Sequence, residues 1–156
     1  MSNNVNPNWE LPVSFYFLVD FQNKANDHFN ASFSEVSGLD IHINAKNESK
    51  NIGVWINMPG PATYGKITLK RHSTRLTEDK FTQWVNRCLR TDTDGYIKPY
   101  DVIIKLLDKD GQPLDGWNCS HCYPSSWSLS GLDSGKSGLA METVTLTCNR
   151  INRITM

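Results

Sequence analysis

Ala31-Ser-Phe-Ser-Glu-Val-Ser-Gly-Leu-Asp-Ile-His-Ile-Asn44 reads as two strands joined at a tight corner. Phe33, Val36, Leu39, Ile41 and Ile43 are its apolar positions. From Leu39 to Ile43 they alternate with Asp40, His42 and Asn44, the period-two pattern of a strand with one wet face. Gly38 stands at the corner, where the lack of a Cβ lets the chain turn sharply or pass close to another backbone. Glu35 and Asp40 flank it.

Working outward, Leu11 to Phe21 reads as a strand with Phe15, Phe17 and Val19 on one face and Tyr16 and Leu18 on the other. Two apolar faces imply cover on both sides. Gln22 to Asn30 reads as a polar loop. Beyond the corner, residues 44–63 read as a long irregular loop, because Pro59, Gly60 and Pro61 interrupt any regular pattern. The apolar residues Ile52, Val54, Trp55, Ile56 and Met58 suit packing on an adjacent subunit better than a solvated linker. Gly65 to Arg71 alternates again, with Ile67 and Leu69 inward and Lys66, Thr68 and Lys70 outward.

One helix is expected. Thr77 is the predicted N-cap, and Glu78 and Asp79 suit the positive end of the dipole. Phe81, Trp84, Val85, Cys88 and Leu89 form an apolar stripe, while Lys80, Gln83, Asn86 and Arg87 face water. Asp101 to Asp108 is a strand. Lys109-Asp-Gly111 is a hairpin turn in which Asp-Gly supplies positive φ angles. Leu114 to Cys119 returns with Trp117 inward, and Cys119 to Leu129 is a further strand interrupted by Pro124 at an edge or bulge. Ser130 to Gly138 is a flexible Ser/Gly loop, and Leu139 to Ile151 closes the chain. Eight or nine short strands and one amphipathic helix predict a mainly β protein, two packed antiparallel sheets forming a barrel-like sandwich. Residues 1–10 are expected as a flexible tail and 11–156 as one domain.

The 156 residues carry 16 basic and 16 acidic side chains. The zero balance speaks against an electrostatic nucleic-acid binder and leaves self-association unopposed by net charge. No apolar run approaches the roughly 20 residues of a membrane-spanning helix. The polar start, Met1 to Trp9, is unlike a signal peptide, so cytosolic synthesis is expected. Cys88, Cys119, Cys122 and Cys148 are then expected to be reduced and buried. Cys119-Ser-His-Cys122 is the one metal-like cluster, but on a regular strand Cys119 and His121 face one way and Cys122 the other, and zinc wants four convergent ligands. No metal and no cofactor are expected. Gly131-Leu-Asp-Ser-Gly135 and Lys136-Ser137 lack the strand-to-helix context of a nucleophile elbow or phosphate loop. Glu35, Asp40 and Glu142 do not assemble into a recognisable acid–base pair, so no catalytic function is expected. Trp117 and Trp127 are assigned to the core and Trp55 to an interface.

The chain resembles the tail tube proteins of contractile phages and the inner tube proteins of contractile injection systems. Phe33-Ser-Glu-Val-Ser-Gly-Leu39 is similar to that family's F-x-E-V-S-G-L signature. In order around it, Phe15 to Asp20 resembles the opening strand, Pro59-Gly60 the end of the long loop, Ile67 to Arg71 the L-T-L-K-R segment, and Trp84 the helix tryptophan. Ile104 to Gly111, Tyr123-Pro124 with Trp127, and Ala140 to Leu146 complete the series. His72 stands where the family usually has glycine, and Cys148-Asn-Arg150 replaces a common H-E-G.

The resemblance implies hexameric rings stacked into a hollow tube inside a contractile sheath, with a baseplate or tube initiator at one end and a cargo effector or DNA in the lumen. It implies cytoplasmic assembly in a producing bacterium, with the particle able to act outside the cell. On it, Glu35, Ser37, Gly38, Asp40, Ile52, Val54, Trp55, Ile56 and Met58 are expected at assembly contacts. His42, Asn44, Lys66, Thr68 and Lys70 are expected at the lumen or the intersubunit seam. A phage and a bacterial injection system stay open as hosts, as do a main tube subunit and a tube-initiator paralogue at the baseplate. The competing reading is a soluble β-rich binding or adaptor module.

Overall fold

Ten strands and one helix make up the described residues of the computed structural model: 15–50, 54–72, 79–90, 97–131 and 140–154, with backbone alone at 46–50 and 54–56. In chain order they are β1 (Tyr16–Gln22), β2 (His28–Phe33), β3 (Glu35–Ser37), β4 (Ile41–Lys50), β5 (Val54–Tyr64), β6 (Ile67–His72), α1 (Lys80–Leu89), β7 (Tyr100–Leu107), β8 (Pro113–Ser130), β9 (Met141–Thr147) and β10 (Arg150–Ile154). The large sheet runs β2-β1-β7-β8-β9-β6-β3, with β10 paired to β8, and β4–β5 is a separate two-stranded ribbon. All the pairings are antiparallel.

The two ends of the large sheet, β2 and β3, are one run of chain broken at Ser34. The Ser34 N–H donates to the Lys70 carbonyl at 2.9 Å, so the sheet curls until its first and last strands meet. The curl wraps an apolar core of Val19, Phe21, Phe33, Ile67, Leu69, Val102, Ile104, Val144 and Leu146. Helix α1 lies across this core. Phe81 meets Phe33 edge-on at 5.2 Å, and Trp84 meets Phe21 at 5.4 Å and Tyr100 at 5.2 Å. The Trp84 indole donates to the Lys98 carbonyl at 2.7 Å, which satisfies the one polar atom of a buried ring.

Several details depart from the sequence reading. Asp79 caps the helix, its Oδ1 accepting from the Thr82 N–H at 2.9 Å; Thr77 lies outside the described residues. The loop before β2 is shorter than expected, because Phe29 is buried and stacks on Phe21 at 4.7 Å. Residues 44–63 contain strand instead of a long loop. The prolines fit because a two-stranded ribbon has free edges, and Gly60-Pro61 bulges opposite Asn44, between the Ile43–Ala62 and Ala45–Pro59 pairs.

At the β7–β8 turn only Gly111 has a positive φ, +78°. Asp108 supplies the rest, its side chain accepting from the N–H groups of Asp110 and Gln112. The two strands expected on either side of Cys119 are one strand, β8. It bends at His121, whose φ of +57° marks a bulge facing Asp101. The bulge at Pro124 is present, between Pro124 and Ser126. The closing strand is divided into β9 and β10. Phe15, Ile41 and Ile43, read as packing positions, are exposed. Among the described residues no helix is long and apolar enough to cross a membrane.

Candidate assembly surface

The corner is built from backbone. Gly38 has a φ of +82°, and a Cβ there would overlap the carbonyl of Lys66. A Cβ on Gly65 would come 2.7 Å from the Gly38 carbonyl oxygen. The Asp40 N–H donates to the Gly38 carbonyl at 2.9 Å, closing a γ-turn at Leu39, and the Gly65 N–H donates to the Asp40 carbonyl at 3.0 Å. The ribbon therefore leaves and re-enters the body through one interlocked pair of glycines.

Among the described side chains of that ribbon, three apolar ones have little to pack on. Ile43 is 63% exposed, Ile41 49% and Met58 41%. His42 and Asn44, on the alternate positions, are exposed as well. A strand pair whose described residues 41–45 are wet on both faces and carry isoleucine on one is unfinished as a monomer surface. The backbones of Val54, Trp55 and Ile56 continue β5, while Ile52 lies outside the described residues.

The structure merges two groups of residues that the sequence kept apart. Glu35 lies opposite Lys70 and Ser37 opposite Thr68 across β3–β6, all on the outward face. The Glu35–Lys70 ion pair is 3.8 Å and exposed, which gives it little weight in stability. The same face continues through pairs that the sequence reading did not single out: Thr68–Thr145 and Lys70–Thr143, then Ser126–Thr145 and Ser128–Thr143. The signal was present as alternating hydroxyls in Thr143-Val-Thr145 and Ser126-Trp-Ser128. Lys66, exposed, ends this face beside Gly38, and Asp40 is exposed at the base of the ribbon.

Beneath this face sits a buried ionic network. Arg71 Nε donates to Glu142 Oε2 at 2.8 Å and its Nη1 donates to Asp79 Oδ2 at 2.7 Å. Arg71 Nη2 reaches Thr82 Oγ1 at 3.0 Å, and the guanidinium carbon lies 4.9 Å from the centre of the Phe81 ring. Burial works against the charge on Arg71, but its hydrogen bonds to Asp79 and Glu142 outweigh it and raise its pKa. Burial likewise opposes ionisation of Asp79, yet the Arg71 and Thr82 hydrogen bonds hold its carboxyl below the usual value. Glu142, the odd charge of its strand, also accepts from the Trp127 indole at 2.9 Å. Trp127 is 47% exposed, a correction to its core assignment: its indole reaches the polar Glu142 and leaves part of the ring in water. Arg71 thus pins the N-terminus of α1 to β6 and β9 under the outward polar face.

On the far side of the helix, the Tyr100 hydroxyl donates to Asp27 Oδ2 at 2.7 Å, with Lys98 Nζ 3.3 Å from the same oxygen. Among the described residues no group of three or more His, Cys, Asp or Glu is arranged to hold a metal ion. The facing expected of the Cys119–Cys122 run is corrected by the His121 bulge. Cys119 and Cys122 are both buried and His121 is exposed.

The model of the family described as T4-like virus tail tube protein gp19 matches residues 13–152. Solved structures with the same fold include a chain of an extracellular contractile injection system, the PVC sheath/tube terminator in the extended state. It is 25% identical over 94% of this chain and 98% of that one, with a TM-score of 0.71. A chain of the PVC sheath–tube complex in the extended state is 24% identical, covering 96% and 95%, with a TM-score of 0.73. A chain of the six-fold-symmetrised anti-feeding prophage baseplate is 23% identical, covering 91% and 94%, with a TM-score of 0.74. No curated protein matches.

Proposed function

This chain belongs to the T4-like virus tail tube protein family, and we propose that copies of it join edge to edge into hexameric rings that stack as the inner tube of a contractile tail or injection system. The observation that carries the reading is the ribbon: exposed Ile41, Ile43 and Met58 on a strand pair held out from the body by the Gly38–Gly65 interlock. Such a ribbon gains apolar cover and new strand partners together when it lies against a neighbour. In this reading Gly38 and Asp40 set the direction of the ribbon. Ile52, Val54, Trp55, Ile56 and Met58 make the ring-to-ring or subunit contacts.

The outward face of β3, β6, β9 and the second half of β8 is assigned to the lumen. Glu35 and Lys70 cancel in charge there, and Ser37, Thr68, Thr143, Thr145, Ser126 and Ser128 supply hydroxyls. A wall of short neutral hydroxyls offers a wetted surface without strong anchors for a passing chain, as a conduit for an effector or DNA needs. His42 and Asn44 fall on the ribbon and so belong to the seam. The mechanism is mechanical: a stiff stack is driven through an envelope when the surrounding sheath shortens. The similarity to chains of the sheath–tube and baseplate complexes supports a sheath outside this tube and a baseplate at its end.

The test is co-assembly. Purified protein should sediment as rings or longer stacks. A mixture with its cognate sheath and baseplate proteins should yield sheathed tubes, and a chain that stays monomeric with all components present contradicts the reading.

A further inference from the structure

We propose that Cys122 and Cys148 are an oxidisable pair that closes into a cross-strand disulfide, which nothing in the tube function requires. The placement comes from register. Tyr123 pairs with Thr147 across β8–β9, and Cys122 and Cys148 stand one step beyond that pair. On β9, Glu142, Val144 and Leu146 face inward, so Cys148 continues the inward series, and it packs partly buried against the core. Cys122 is fully buried on the facing strand. Directly opposed residues of an antiparallel pair have Cα atoms about 4.5 or about 5.5 Å apart. Both values fall in the roughly 4.4–6.8 Å window of disulfides. The bulge at His121 is what turns Cys122 to this side.

The pair is asymmetric in a way that suits stepwise exchange. Cys148 is half-buried and within reach of solutes, whereas Cys122 is sealed. The Cys122 thiol donates to the Cys119 carbonyl at 3.5 Å, and its nearness to Cys148 lowers the pKa of Cys148 and favours its thiolate. The thiolate of Cys148 attacks one sulfur of a small-molecule disulfide such as glutathione disulfide. One glutathione thiolate leaves, taking up the proton that Cys148 gave up. Cys122, held protonated by its neighbouring thiols and by burial, passes its proton to the departing glutathione sulfur as it attacks the Cys148 sulfur and expels the second glutathione. Two protein thiols are oxidised, one disulfide is reduced to two thiols, and two electrons pass between them. Cys119, also buried, pairs with Ile151 across β8–β10 and neighbours Cys122, so Cys119→Ala is the control for its part in the reaction.

The bond would tie β8 to the β9–β10 junction beside the bend where β8 changes partners. Its use, as a lock set when a particle meets an oxidising exterior, rests on the tube reading; the chemistry itself does not. The two are tested apart by working on the isolated folded chain. Protein is incubated with excess glutathione disulfide, free thiols are blocked, and intact mass is measured. The expected result is a loss of about 2 Da before blocking, one disulfide per chain, kept in Cys119→Ala and absent in Cys148→Ser and Cys122→Ala. Oxidised protein should also melt higher, by roughly 5 °C. A stable glutathione adduct on Cys148, a bond that survives Cys122→Ala, or no change of mass would each overturn the proposal. Cys148→Ser replaces a half-buried side chain, so its result stands even if Cys122→Ala misfolds.

Discussion

Gly38 passes so close to Lys66 that a Cβ on the glycine would overlap the lysine carbonyl oxygen, while its φ of +82° is one that other residues rarely adopt. Two penalties coincide, backbone conformation and collision with backbone that cannot swing away. Gly38→Ala is predicted to destabilise the chain by on the order of 3 kcal/mol, read from the midpoint of urea unfolding.

Ile41 and Ile43 touch little in the monomer, so charging them should leave the fold intact. Ile41→Glu with Ile43→Glu is predicted to change unfolding stability by no more than about 0.5 kcal/mol and to abolish ring formation. Sedimentation velocity separates the two effects. Normal assembly by this variant would remove the ribbon from the interface. Trp55→Ala with Ile56→Ala, on the paired strand β5 of the same ribbon, is expected to fold and fail to stack.

The Arg71–Glu142 pair is mostly buried, with side-chain exposures of 14% and 11%. Arg71→Met leaves Glu142 without its cation and should cost about 3–5 kcal/mol. Adding Glu142→Leu should recover part of that loss, the coupling a double-mutant cycle reports. Asp79 carries the pH signature. Its folded pKa is lowered, so its contribution is present above the unfolded value of about 3.9 and is lost as pH falls through the folded pKa. The stability gap between wild type and Asp79→Asn at neutral pH should therefore shrink below about pH 4.

Tyr100 behaves in the opposite sense. Burial, and then its hydrogen bond to Asp27, push its pKa up to about 12. Its contribution is present in full below the unfolded value of about 10 and lost as pH rises toward the folded one. Alkaline unfolding of Tyr100→Phe should lack the fall that wild type shows between these values, followed by tyrosinate absorbance alongside circular dichroism.

Short-range patterns were the legible part of the fold. Alternation revealed β6 and most of β9, helical spacing revealed α1, and Gly38 announced its own corner. The ribbon was hidden because Pro59 and Pro61 argue against strand in the middle of a sheet but not on a free edge with a bulge. The continuity of β8 was hidden because a left-handed His121 leaves no mark in composition and reverses the facing of every residue after it. Arg71 and Glu142 are 71 residues apart in sequence, and only the β6–β9 register brings them together. The β3–β6 register joins Glu35 to Lys70 and Ser37 to Thr68, which the sequence divided between two roles.

Electron microscopy of the purified chain, alone and then with its baseplate components, tests the tube reading most directly. Six-fold hollow rings or stacked tubes, with the ribbon seated on a neighbouring copy and Thr68 and Thr145 on the inner wall, are the predicted result. Particles that remain single chains in both preparations, or rings whose inner wall is formed by another face, would contradict it.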